Sequence, residues 1–97
     1  MIFEILLPGK ENAIPGKDLA QILGIPLREL TAQIERERRA GKPICANQNG
    51  KAPGYYLADT KATMARYCEQ LHRRAAELYK TRQECLKTID TLPEEAQ

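Results

Sequence analysis

Apolar residues recur at helical spacing in three stretches of the chain. The first holds Leu19, Ala20, Ile22 and Leu23, just after Gly16-Lys17-Asp18. This is the stripe of an amphipathic helix of about two turns. Gly24 closes it, as glycine commonly ends a helix. The second stretch opens at Pro26, a residue suited to the first position of a helix. It runs to about Ala40, turns Leu27, Leu30 and Ile34 inward, and stops at Gly41. The third starts after Asp59 or Thr60, either of which can cap a helix, and runs to about Thr91 before Pro93. Roughly 30 helical residues span about 45 Å.

Between these stretches the period changes. Lys42-Pro43-Ile44-Cys45-Ala46 and Tyr55-Tyr56-Leu57-Ala58 read as two short strands. The loop from Asn47 to Gly54 is rich in Asn, Gly and Pro, so the strands form a β-hairpin. Ala13-Ile14-Pro15 reads as extended, because Pro15 keeps Ile14 out of the α region. The opening run Ile2-Phe3, Ile5-Leu6-Leu7 fits a helical turn and a strand equally. The expected architecture is mainly α with a small β-hairpin. Residues 1–59 form one domain, 60–92 a long C-terminal helix and 93–97 a frayed acidic tail.

Placing Leu27, Leu30 and Ile34 inward fixes the outer face of their helix. At 100° per residue, Arg28, Ala32, Glu35, Arg36 and Arg39 point outward. Arg28 lies in the first turn, where an arginine can grip guanine with two hydrogen bonds. Thr31 flanks it, suited to a thymine methyl or a phosphate. Arg36 and Arg39 sit farther along and suit phosphate, as does Lys17 at the start of the first helix. Lys42 joins this basic stretch. In the hairpin loop Asn47, Gln48, Asn49 and Lys51 offer polar groups to a nucleic-acid backbone or minor groove. Three acids, Glu29, Glu35 and Glu37, oppose such binding. Glu35 is expected to pair with Arg38 or Arg39, at i+3 or i+4.

The run GKDLAQILGIPLRELTAQIERERRAGKPICANQNGKAPGYYLA resembles the winged helix-turn-helix domains of small prophage-type proteins and bacterial regulators. The resemblance covers about residues 13 to 60. It rests on the spacing from Leu19 through Gly24 to Leu30 and Ile34. Arg38, Gly41, Pro43-Ile44 and Gly54-Tyr55-Tyr56-Leu57 add to it. It implies a winged helix-turn-helix that reads double-stranded DNA with residues 26–40 and supports itself with a wing at 47–54. Glu37 departs from the pattern, where an apolar residue is usual. The expectation is a loosely packed helix end, or a carboxylate free to meet a base. The three acids favour an alternative role, a protein-docking module such as a replication or partition accessory factor.

The third helical stretch carries a heptad seam. Met64, Cys68, Leu71, Ala75, Leu78, Arg82, Cys85, Ile89 and Leu92 alternate steps of four and three. The first half of the seam is expected to pack on the chain's own domain. The second half, with Leu78, Cys85, Leu86, Ile89 and Leu92, needs another cover. A second copy is the simplest one. The expected homodimer interface is Leu71, Leu78, Arg82, Cys85 and Ile89. Arg82 would pair with an acid such as Glu77 or Glu84 of the other copy. The pattern is silent on whether the helices run parallel or antiparallel.

Composition narrows the classes. The 97 residues suffice for one domain, with 42% hydrophobic and 29% charged side chains. Lacking Trp and holding one Phe, the chain must build its core mainly from Leu, Ile and Ala. The net charge of +2 implies no nucleic acid by itself, but Arg36, Arg38, Arg39, Lys42 and Lys51 cluster against one acid, Glu37. Cys45, Cys68 and Cys85 match no metal spacing and read as reduced thiols of a cytoplasmic protein. Cys68 and Cys85, on the seam, are expected to be packed, leaving Cys45 as the one candidate redox thiol. His72 stands without a partner that would make it a base, and no phosphate-binding glycine loop occurs. An enzyme, a metal and a cofactor are therefore not expected. No apolar run is long enough for a membrane span.

Overall fold

The computed structural model describes residues 1–47 and 54–95. The protein is mainly helical, with a two-stranded antiparallel hairpin and a long C-terminal helix. Its helices are α1 (Gly16–Leu23), α2 (Leu27–Arg39) and α3 (Lys61–Lys87). Its strands are β1 (Ile44–Asn47) and β2 (Gly54–Leu57), in register Ile44 to Leu57 and Cys45 to Tyr56. The chain divides into two compact units, one up to Tyr67 and one from Cys68 onward.

In the first unit, the opening run is a short 3-10 turn, Ile2–Ile5. The chain from Leu7 to Ile14 then lies along the free edge of β2. The Leu57 amide donates to the Leu7 carbonyl at 2.9 Å, and the Gly9 amide to the Leu57 carbonyl at 3.0 Å. Ile14 pairs antiparallel with Tyr55, exchanging hydrogen bonds of 2.9 and 2.8 Å. This extended piece fits so closely that a Cβ at residue 54 would collide with the Ile14 carbonyl. Gly54 is required there by close approach, not by its torsions.

The turn between α1 and α2 depends on Gly24, at φ 67° and ψ 33°. The Ile25 amide reaches back to the Ala20 carbonyl at 3.1 Å, which satisfies the helix end. Any other L residue at this left-handed position would cost about 1 kcal/mol.

Two apolar clusters hold the unit. The larger packs Leu19 and Ala20 of α1 against Leu30 and Ile34 of α2, with Ile2, Leu6 and Ile44. The smaller joins Cys45, Ala46 and Tyr56 of the hairpin to Tyr67 of α3. Neighbouring residues of a strand point to opposite faces, so Ile44 enters one cluster and Cys45 the other. The larger cluster is thus built from Leu, Ile and Ala alone; in the smaller, tyrosines and a cysteine supply the mass beside Ala46. Three stripe residues are not inside. Ile22 is 69% exposed and Leu27 is 54% exposed, while Leu23 is also exposed; Ile25, in the turn between them, is half-buried against the larger cluster.

Helix α3 begins under a cap from Thr60, whose Oγ1 accepts from the Thr63 amide at 3.1 Å. Thr63 Oγ1 donates to Asp59, which holds that carboxyl below its usual range. Of the first turns, Tyr67 is buried and Met64 packs on the smaller cluster. In the second unit α3 runs on to Lys87, and a 3-10 turn comes next at Ile89–Thr91. Its apolar residues Leu71, Leu78, Tyr79 and Leu86 are exposed, as are Ile89 and Leu92 beyond the helix.

Candidate functional site

The outer face of α2 and the cleft beside it hold most of the residues singled out in the sequence. The cleft is lined by Pro15, Gly16 and Lys17 of the α1 start, by Leu27 and Thr31 of α2, and by hairpin residues including Asn47 and Tyr55. An adjoining shallow surface is lined by Leu27, Arg28, Thr31, Ala32 and Glu35. Leu27 and Thr31 belong to both, so the two form one continuous face. The fold therefore brings Lys17, Arg28, Thr31 and Asn47 together from three separate elements.

Lys17 and Arg28 are exposed and enter no ion pair among the described residues. They are the cations most available to an anionic ligand. Thr31 is exposed, with its hydroxyl donated to the Leu27 carbonyl at 3.1 Å. Its methyl is therefore the part left to meet a ligand. Arg39 is exposed and pairs with Glu35 at 3.5 Å, and Arg38 stands 3.9 Å from the same carboxylate. The expected i+3 and i+4 partners of Glu35 are thus both present. Such exposed pairs are weak, on the order of 0.3–0.5 kcal/mol, and Arg39 can leave Glu35 for a phosphate.

Two cations expected on this face are occupied elsewhere. Arg36 donates twice to Gln33 Oε1, at 2.7 and 3.0 Å. Lys42 lies with its ammonium 4.2 Å from the centre of the Phe3 ring, a cation–π contact with the opening turn. Neither lines the cleft or the surface beside it, and nor does Arg39, which reaches that surface only through its partner Glu35. Asn49 and Lys51, with Gln48, fall outside the described residues.

Glu37 corrects the expectation of a loose helix end. Its side chain is 1% exposed. The carboxylate accepts the backbone amides of Ile2 and Phe3, both at 2.8 Å, and the Gln33 amide at 2.8 Å. Burial raises its pKa, but these hydrogen bonds and the amino-terminal charge outweigh burial and hold it below the usual glutamate value. The acid caps the opening 3-10 turn, where a negative charge meets unpaired N–H groups. It is not available to a base.

Arg38 is the corresponding cation on the hairpin side. Its Nε donates to the Ile44 carbonyl at 2.9 Å, and its guanidinium lies 5.2 Å from the Tyr67 ring and 6.0 Å from the Tyr55 ring. Its Nη2 is buried without a hydrogen-bond acceptor among the described residues. The two ring faces supply the negative potential that an acceptor would otherwise give. Arg38 thus ties α2 to the hairpin and to the first turns of α3.

The cysteines reverse their expected roles. Cys45 is fully buried, whereas Cys68 and Cys85 are exposed. An inert thiol is one packed in apolar surroundings, so Cys45 is not the redox candidate. Among the described residues no group of three His, Cys, Asp or Glu side chains could hold a metal ion, and no helix is long and apolar enough to cross a membrane. His72 is exposed on α3.

Pro15, Gly16 and Tyr55 join the site without being marked for it by residue type. A signal existed in the extended Ala13-Ile14-Pro15 piece, whose backbone needed a strand partner and had only the hairpin to pair with. Compared with protein families, with curated proteins and with solved structures, the chain matches none.

Proposed function

We propose that the first unit is a winged helix-turn-helix that binds double-stranded DNA, in a cytoplasmic transcriptional regulator that acts as a homodimer through α3. It is a binding protein rather than an enzyme. The carrying observation is the continuous face where Lys17 and Arg28, outside any ion pair among the described residues, meet Thr31 and Asn47. In this reading α2 enters the major groove, which is wide enough for one helix. Arg28, in its first turn, reads a guanine edge. Lys17 and Arg39 contact phosphates on either side, and Asn47 at the hairpin contacts the backbone.

The test is a fluorescence-anisotropy titration with duplex DNA. Arg28→Ala should relax base preference and weaken the preferred site by about 1–3 kcal/mol. Lys17→Ala should weaken all sequences alike and reduce the salt slope by about one. If Lys17→Ala left the slope untouched, the phosphate face would lie elsewhere.

A second reading is a protein-docking module. The exposure of Ile22 and Leu27, with Leu23 beside them, favours it. These residues flank the α1–α2 turn along the chain, and Leu27 itself lines the basic face. Under this reading the protein binds no mixed-sequence duplex even at low salt.

A further inference from the structure

We infer that the segment Cys68–Cys85 of α3 pairs antiparallel with the same segment of a second copy, Cys68 facing the partner's Cys85. The inference rests on the homodimer reading above and gives it a direction and a register.

The free seam is bounded at both ends. Met64 packs on the first unit's smaller cluster, which takes it out of the seam. Beyond Lys87 the backbone turns 3-10 at Ile89–Thr91, so Ile89 and Leu92 leave the heptad track. Six helical positions remain, Cys68, Leu71, Ala75, Leu78, Arg82 and Cys85. Leu71 is 39% exposed and Leu78 is 72% exposed, and both cysteines are exposed.

Two such helices can run the same way or opposite ways. Run the same way, every seam residue faces its own copy. Two Arg82 guanidinium groups then meet across an apolar seam, flanked by Tyr79, Thr81 and Leu86, with no carboxylate beside them. Buried like charges without partners are strongly unfavourable.

Run opposite ways, six layers form: Cys68 with the partner's Cys85, Leu71 with the partner's Arg82, Ala75 with the partner's Leu78, and the reverse of each. The smallest side chain meets a large one. Each Arg82 lays its stem on a leucine and reaches its head to the rim. The two guanidinium groups sit about 16 Å apart along the axis, 11 residues at 1.5 Å each.

Charge on the flank points the same way. Arg74 lies one position from the seam, on the side of the helix that also carries Glu77 and Glu84. In the antiparallel register it comes level with the partner's Tyr79, two positions from the partner's Glu77 and five from the partner's Glu84, against one like charge on that flank, the partner's Arg74, also five positions away. In the parallel register its neighbours are uncharged, the partner's Ala76 and the partner's Gln83. Among the described residues Glu77 and Glu84 pair with exposed lysines alone, Lys80 at 3.3 Å and Lys87 at 3.2 Å. Such pairs are weak enough to share the carboxylate with a second cation.

The full chain is sized by light scattering and then oxidised with diamide, which takes up the two electrons and two protons that a thiol pair loses on forming a disulfide. Products are separated on a non-reducing gel. Cys45 is fully buried and takes no part. The wild type should give a covalent dimer. Cys68→Ser and Cys85→Ser should each lose it, and a mixture of the two variants, after subunit exchange, should restore it. Crosslinking within either single variant would mean parallel pairing and overturn the proposal. A dimer in light scattering whose wild type gives no crosslink would overturn the register. A monomer in light scattering would overturn the homodimer reading itself, and this proposal with it.

Discussion

On α2, Leu30 and Ile34 are 0% and 1% exposed; on α3 beyond Tyr67, Leu71 and Leu78 are 39% and 72% exposed. Both helices carry an apolar stripe with charged residues opposite. The stripe of α2 is covered by α1, the opening turn and the hairpin. The stripe of α3 in the second unit meets no such cover among the described residues. Periodicity therefore says which face of a helix avoids water and leaves open what covers that face. The residues that answer the second question are the ones that break the stripe. On α2 this is Glu37, an acid in an apolar position that receives the backbone of another segment. On α3, in the proposed homodimer, it is Arg82, a cation on the seam that disfavours meeting its own copy.

The largest test of this contrast removes one leucine from each helix. Leu30→Ala should lower the stability of the first unit by about 3 kcal/mol, since it deletes fully buried methyl groups and leaves a cavity. Leu78→Ala should leave the intrinsic fold of the chain unchanged and abolish the concentration dependence of Tm that a homodimer shows. Thermal denaturation at several protein concentrations measures both. Equal, concentration-independent losses for the two variants would erase the distinction between a stripe covered within the chain and one covered by a partner.

Glu37→Gln comes next. A neutral amide cannot accept from three donors at once without turning its own N–H groups toward the Ile2 or Phe3 amide. The loss should be about 2 kcal/mol at neutral pH, the scale of a hydrogen bond to a charged group. The sign with pH comes from the lowered folded-state pKa. Glu37 contributes fully above the ordinary glutamate value near 4.5. That contribution fades as pH falls through the lower folded value. The gap between wild type and Glu37→Gln in denaturant melts should be constant above about pH 5 and close below it. A gap that widens on acidification would contradict the charged, hydrogen-bonded state.

The smallest effect is at the start of α3. Thr60→Ala should cost about 1 kcal/mol, the value of an N-cap hydroxyl. Hydrogen exchange should locate the loss in the first turn of α3. Loss spread over the hairpin would mean that Thr60 does more than cap.

Much of the fold is written in local signals. Gly24 and Gly41 end the first two helices, and the Asn47 to Gly54 loop separates two runs of strand character. The stripe on α2 places Arg28, Ala32, Glu35 and Arg39 outward, where they are found. What local signals miss are pairings between a side chain and a distant backbone. Glu37 bonds to amides 34 and 35 positions away, and an amide has no letter of its own in a sequence. Lys42 and Arg36 lie in the basic stretch by composition, yet a ring and a glutamine hold them aside. Leu27 keeps to the stripe and stays exposed because it borders the cleft rather than the core. The cysteines depart from expectation for the reason that separates the two helices. A seam position is a packed one only where something covers it, and in the second unit no described residue does.

In the proposed function, the face built from Lys17, Arg28, Thr31 and Asn47 meets DNA. The most direct measurement is the anisotropy titration of the full chain with mixed-sequence duplex at two salt concentrations. Affinity that falls steeply as salt rises, with a shallower slope for Lys17→Ala, is the predicted result, since each phosphate contact releases a condensed counterion. No binding at the lower salt would contradict it and give this face to a protein partner.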